Sequence, residues 1–234
     1  MFVDISFDVR SDSNGRDPDS ASPTLRSYHQ LLWSKRLPSG VSFDLDRVPG
    51  SYLTHSSQRG EFKLSSDTIS NSLRGSKRRA GLIAQISSVN LNAFQALGST
   101  IGARILFPGN RVDKKPTINV ARGFNAQIVD RFDLTLECIR LHYRRESSPL
   151  ATTLDRYADF FALFETFEGY ADFFLLDDLV QNGQVKFYLP FDGEFGQPLP
   201  NTVDEYNDYM ANTMKFVAAR NLRIEKWAAE NQAI

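Results

Sequence analysis

A chain of 234 residues and 26.5 kDa is long enough to bury a substantial core, and its 41% apolar and 24% charged residues exclude a disordered or collagen-like polymer. Lys and Arg (27) nearly balance Asp and Glu (28), so the net charge of −1 carries no overall mark of a nucleic-acid or membrane partner. The single Cys138 forbids an intrachain disulfide, a Cys-pair redox centre and a Cys-based zinc site, and fits a reducing compartment.

Residues 2–9 alternate Phe2, Ile5 and Phe7 roughly with polar residues and predict a strand. The same terminus carries acid where a signal peptide has Lys or Arg. No apolar run reaches the roughly 18 residues of a bilayer span, so the expected location is cytoplasmic. Residues 11–21 read as a solvated loop, because Asp12, Asn14, Asp17 and Asp19 lack the ligand spacing of an EF-hand. Ser22 caps a helix with Pro23 in its first turn, running to about Lys35 with Leu25, Tyr28, Leu31 and Leu32 on one face.

Short alternating runs at 41–45, 51–54 and 61–64, separated by Pro49-Gly50 and Arg59-Gly60, predict a meander. Ser66 or Asp67 then caps a short helix to about Leu73, and helical stretches follow at 80–87 and 90–98. Residues 101–107 and 117–121 read as strands. A long helix starts near Asn125 and reaches Tyr143, with further helices at 150–167 and 170–180 and a strand at 185–189. Thr202 and Glu205 form a capping box for a last helix to about residue 230. Strands first and helices later predict an α+β fold: a small, mainly antiparallel sheet from the N-terminal half and centre, packed by a helix-rich C-terminal half in one domain, 1–234.

The near-neutral total hides a division. Residues 71–129 hold nine cations (Arg74, Lys77, Arg78, Arg79, Arg104, Arg111, Lys114, Lys115, Arg122) against Asp113, while residues 151–208 hold twelve carboxylates against Arg156 and Lys186. A basic segment is the footprint of a phosphate-bearing ligand, nucleotide or nucleic acid. The other reading is internal pairing of the two segments, or head-to-tail pairing in a homo-oligomer. No zinc finger, helix-turn-helix, Walker loop or dinucleotide-binding glycine pattern is present.

Residues 117–140 hold the most informative constellation. Arg122-Gly123 lies where a strand is predicted to turn into a helix, and Asn125 is a good N-cap, so Arg122 and the free N–H groups behind Asn125 make a candidate anion site with Lys77, Arg78 and Arg79. Along the helix, Asp130, Asp133, Glu137 and Arg140 form a polar stripe between two apolar ones. One reading makes Asp133 and Glu137 acid/base groups or metal ligands of a hydrolase, with Arg140 and Arg122 holding an anion. The other makes the same residues a buried salt-bridge network that fixes the helix.

Together with Tyr28-His29-Gln30-Leu31-Leu32-Trp33-Ser34-Lys35, Gly60-Glu61-Phe62-Lys63-Leu64-Ser65-Ser66-Asp67 and Asp172-Phe173-Phe174-Leu175-Leu176-Asp177-Asp178-Leu179-Val180, this run resembles a family of uncharacterised bacterial proteins of similar length. The resemblance spans nearly the whole chain. It implies an intracellular bacterial protein and one domain, and transfers no catalytic residue and no cofactor.

Other candidates are weaker. His29, His55 and His142 have no metal-ligand spacing, and His55 with Ser65, Ser66 and Asp67 lacks a Gly-x-Ser-x-Gly elbow. Six of the 18 Phe residues fall within 151–180, where Leu154, Tyr157, Phe161 and Phe164 share a helical face and read as core.

Overall fold

The cap predicted at Ser22 sets the first long helix. In the computed structural model, which describes residues 2–48, 50–71, 73, 79–196 and 198–231, the Ser22 hydroxyl accepts from the Leu25 amide at 3.0 Å. Pro23 occupies the first turn of α2 (Pro23–Trp33), which follows the single turn α1 (Pro18–Ala21) and buries Leu25, Tyr28, Leu32 and Trp33. A two-residue pair, β1 (Lys35–Arg36) with β2 (Ser42–Phe43), closes behind it.

The central sheet is antiparallel, in the order β3 (Leu53–Ser57), β4 (Gly60–Thr68), β5 (Arg104–Pro108). β4 pairs on both sides, Leu53 opposite Leu64 and Arg104 opposite Thr68, so Phe62 and Leu64 turn into the core on alternate positions. Between β4 and β5 lie α3 (Ala80–Ile83), α4 (Ser88–Leu97) and a 3₁₀ turn, Ile101–Ala103.

The remainder is helical: α5 (Ile118–Phe124), α6 (Phe132–Tyr143), α7 (Ala151–Asp155), α8 (Ala158–Phe161), a 3₁₀ turn at Ala162–Phe164 and α9 (Phe167–Phe173). A small hairpin, β6 (Val180–Gln181) with β7 (Gln184–Val185), turns through Asn182 and Gly183 at φ 51° and 69°, the left-handed pair such a two-residue loop requires. The last helix, α10 (Val203–Asn231), is 29 residues long. Its cap is local chemistry: the Thr202 hydroxyl accepts from Glu205 N, while the Glu205 carboxylate accepts from Asn201 N. α10 lies on the 3₁₀ turn Ile101–Ala103, where any side chain at Gly102 would collide with Asn221. Asn221 Oδ1 accepts from Gly102 N at 2.7 Å.

The fold is α+β, as the sequence predicts, and one core of buried residues extends from Val3 to Ala228. The phenylalanines of 151–180 are part of it. Phe164 lies 5.0 Å from Phe173 and 5.3 Å from Phe174, and Trp33 is 5.3 Å from Phe174 between ring centroids. Among the described residues no helix is long and apolar enough to cross a membrane.

Several expected elements differ: the strand expected at 101–107 pairs only from Arg104, the one at 185–189 is confined to Gln184–Val185, and others differ for a tertiary or competing local reason. Residues 2–9 form turns, because Asp4 Oδ1 accepts from Ser6 N at 2.8 Å and Asp4 O from Phe7 N. The predicted helix at Ser66 is instead the end of β4, held by pairing with β5. Residues 117–121 start a helix, not a strand: Thr117 is the N-cap of α5, its side chain accepting from Val120 N. Asn125 ends that helix in extended backbone, and α6 begins only at Phe132 after left-handed turns at Val129 and Asp130. The helix predicted at 150–167 is broken into short turns, ending at Glu165 (φ 63°), where Thr166 N closes back on Phe164 O.

Candidate functional site

α5 places Arg122 at the centre of a closed network. The side chain is fully buried. Its Nη1 donates to Asp67 Oδ2 at 2.8 Å and to Thr68 O at 3.2 Å, and lies 3.0 Å from Asp130 Oδ1. Nε donates to Thr135 Oγ1 and Nη2 to Asp130 O. The guanidinium thus ties β4, the 125–131 turn and α6 together. Burial works to lower its pKa, but Asp67 and Asp130 more than reverse this and hold it above its ordinary value. Asp130 is raised by its own burial, with Arg122 opposing and Asn71 donating to it at 2.8 Å.

The rest of the predicted stripe is divided among separate partners. Asp133 is fully buried and takes both forks of the Arg131 guanidinium, while its Oδ2 also accepts from Tyr188 N at 2.9 Å. Arg131 has one further acceptor, Pro198 O. Glu137 is held by Arg140 in a bidentate pair at 2.8 and 2.7 Å on the same helix. Asp133 and Glu137 therefore bind different arginines. Among the described residues no group of three or more His, Cys, Asp and Glu is placed to hold a metal ion. Asn125 uses its amide on Pro149 O and its carbonyl on Gln127 N, so it caps no free amides of α6. Arg79 donates to Asn201 at 2.8 Å. Lys77 and Arg78 lie outside the described residues.

A different arginine is left without such partners. Arg104 opens β5 and lines a cleft of about 230 Å³ with Arg10, Thr68, Ser70, Phe94 and Ser99. Its Nε is buried with no acceptor among the described residues. The carboxylates whose fields reach it are Asp19, Asp67 and Asp8, and each is engaged elsewhere. Asp19 accepts from Ser65 Oγ, Ser66 N and Ser66 Oγ; Asp67 binds Arg122; Asp8 is clasped by Arg10 at 3.0 and 2.8 Å. Burial lowers the Arg104 pKa, Arg10 adds to the lowering, and these carboxylates only partly offset it.

A second cation lies directly behind the cleft. Arg220 of α10 is fully buried and, among the described residues, donates only to neutral carbonyls, those of Phe174, Gly102 and Arg104. Burial brings its pKa down to about 9. Among the described residues neither guanidinium is salt-bridged to a carboxylate, and the two meet at the backbone of residue 104, whose carbonyl accepts from Arg220 Nη1 at 2.7 Å. On the wall, Ser70 Oγ has Thr68 Oγ1 at 3.3 Å as its hydroxyl partner, and the Ser99 hydroxyl donates to Gln95 O.

Sequence reasoning counted Arg104 in the basic segment but did not single it out. The available signal was a cation inside the apolar run 101–107, which burial of that run forces toward the interior.

The model of a family of unknown function (DUF6994) matches residues 3–224. No curated protein and no solved structure matches the chain.

Proposed function

We propose, on the premise that the chain belongs to this family of unknown function, that it binds a small phosphate-bearing ligand in the Arg104 cleft. The observation that carries this reading is the Arg104 guanidinium, whose buried Nε has no acceptor while it lines an open cleft. A phosphate supplies several acceptor oxygens to a planar fork of N–H donors and neutralises the local charge, correcting both deficits at once. The Ser70 hydroxyl, 3.3 Å from Thr68 Oγ1, is a further hydroxyl on the cleft wall that a phosphate oxygen could engage in place of that long contact. Arg10 at the rim adds a second cation, tempered by Asp8.

The site differs from the one expected at Arg122 and Asn125, whose side chains are already hydrogen-bonded within the fold. A cleft of about 230 Å³ favours a phosphate group with a small appendage over a nucleic-acid strand.

The test is thermal unfolding in low salt with inorganic phosphate or a small phosphomonoester, comparing the native chain with Arg104→Gln. Ligand that binds only the folded state raises Tm with concentration. The expected result is a concentration-dependent rise in the native chain that is reduced at least about tenfold in apparent affinity in the variant. Equal shifts in both proteins, or no shift in either, overturn the reading.

A further inference from the structure

The rim of the Arg104 cleft holds a second arginine, and a carboxylate of the chain already occupies it. Arg10 lines the cleft with Arg104. Its guanidinium clasps Asp8, Nε donating to Oδ1 at 3.0 Å and Nη2 to Oδ2 at 2.8 Å. The residue between them is anchored: Val9 is fully buried, and its amide donates to the carbonyl of Ser99, a cleft residue, at 3.0 Å. Asp8 and Arg10 therefore flank a fixed point of the backbone, while their side chains stay 44% and 58% exposed.

The guanidiniums of Arg10 and Arg104 are close enough for each to feel the other's charge, a repulsion that an anion between them relieves. An ion pair as exposed as Asp8 with Arg10 is screened by solvent and salt and contributes little to stability. Releasing the Arg10 side chain is correspondingly cheap. Asp8 keeps its place when that happens, because its Oδ1 also accepts from the Arg10 amide at 2.9 Å. The clasp is a stand-in, with a carboxylate of the chain engaging a cation that also lines the cleft.

We propose, resting on the phosphate reading of this cleft, that the ligand is a phosphomonoester dianion held between Arg104 and Arg10, with Asp8 as the chain's own competitor for Arg10. Counting oxygens and charges separates a monoester from a diester. The planar fork of Arg104 takes two oxygens side by side, which uses both free oxygens of a phosphodiester. A monoester has a third, and a second negative charge, with which to draw Arg10 off Asp8. A monoanionic diester gains one arginine and leaves the clasp closed.

The experiment titrates the folded, full-length chain by calorimetry at pH 8 and low, fixed ionic strength. One ligand is methyl phosphate, which carries close to two charges above its second pKa of about 6; the other is dimethyl phosphate, which carries one. The native chain is expected to bind methyl phosphate at least about tenfold more tightly, the worth of one further charge-assisted hydrogen bond. Arg10→Gln brings the two affinities within about threefold of each other. Asp8→Asn keeps an acceptor for the Arg10 amide, removes the competing charge and tightens methyl phosphate by about three- to fivefold.

Equal affinities for the two esters in the native chain, a gap that survives Arg10→Gln, or an Asp8→Asn chain that binds methyl phosphate no more tightly overturns the dianion inference. If Arg104→Gln still abolishes binding of both esters in that case, the cleft reading stands without it. No binding of either ester to the native chain, or binding of both that Arg104→Gln leaves unchanged, overturns the cleft reading and the inference together.

Discussion

Arg122 and Arg104 come from the same basic stretch and both meet the end of β4, yet the fold uses them in opposite ways. Arg122 spends its donors on Asp67, Asp130, Thr68 and Thr135 and has no surface in contact with solvent. Arg104, opposite Thr68 in the sheet, has a buried Nε with no acceptor and faces a cleft. A charge whose donors are all engaged fixes structure. A charge left short of partners is destabilising until something binds it, and only the second kind leaves free energy for a ligand.

The sharpest way to break that contrast is to remove the saturated arginine. Arg122→Met leaves Asp67 and Asp130 facing each other without a counter-ion, a situation that costs roughly 3–5 kcal/mol. Urea unfolding at pH 7 should show the midpoint falling by a corresponding amount. Arg122→Lys should recover only part of the loss, because one ammonium cannot span partners on β4, the 125–131 turn and α6. If Arg122→Met instead unfolds at the native urea concentration while losing the phosphate response, the two arginines exchange roles.

Asp19 sharpens the same comparison from the anionic side. It is buried against β4 and pushed up to about 6, chiefly by burial, with the Ser66 hydroxyl pulling the other way. Its folded pKa lies above the ordinary 3.8, so the proton binds the native state more tightly than the unfolded one. The resulting stabilisation is complete below about pH 4 and is lost as pH rises through 6, a change of about 3 kcal/mol. Asp19→Asn, which stays neutral, is expected to be more stable than the native chain at pH 8 by up to that amount and to match it at pH 4. Denaturant titrations at the two pH values check the sign. A variant less stable at pH 8 means that the field of the carboxylate on Arg104 outweighs its own burial.

What the sequence made legible, and what it hid, divides along contact range. The caps at Ser22 and Thr202 were readable because donor and acceptor lie three residues apart. The aromatic core was readable from helical spacing of Leu154, Tyr157, Phe161 and Phe164, even though the helix there is broken. The true end of β4 was hidden because its Ser-rich run is held by β5, some forty residues on. Thr117 carried a cap signal, but the apolar alternation after it, Ile118 and Val120, imitated a strand. The partners of Arg122 at Asp67 and Thr68 lie more than fifty residues away in the chain. The Arg104 cleft is assembled from four segments, around residues 10, 68–70, 94–99 and 104, so no local spacing announces it.

The smallest expected effect concerns the stripe that looked most like chemistry. Glu137 and Arg140 make a bidentate pair one turn apart on α6, with side chains 9% and 13% exposed. Glu137→Gln keeps the shape and one acceptor, removes the charge, and leaves an arginine that still reaches water, so the loss should be only about 1 kcal/mol. Because neither residue lines the Arg104 cleft, the phosphate response should be unchanged at the same protein and salt concentrations. The informative exception is the reverse pattern. Intact stability with an abolished response places ligand chemistry on α6 after all, and moves the functional contrast from Arg104 against Arg122 to one face of a single helix.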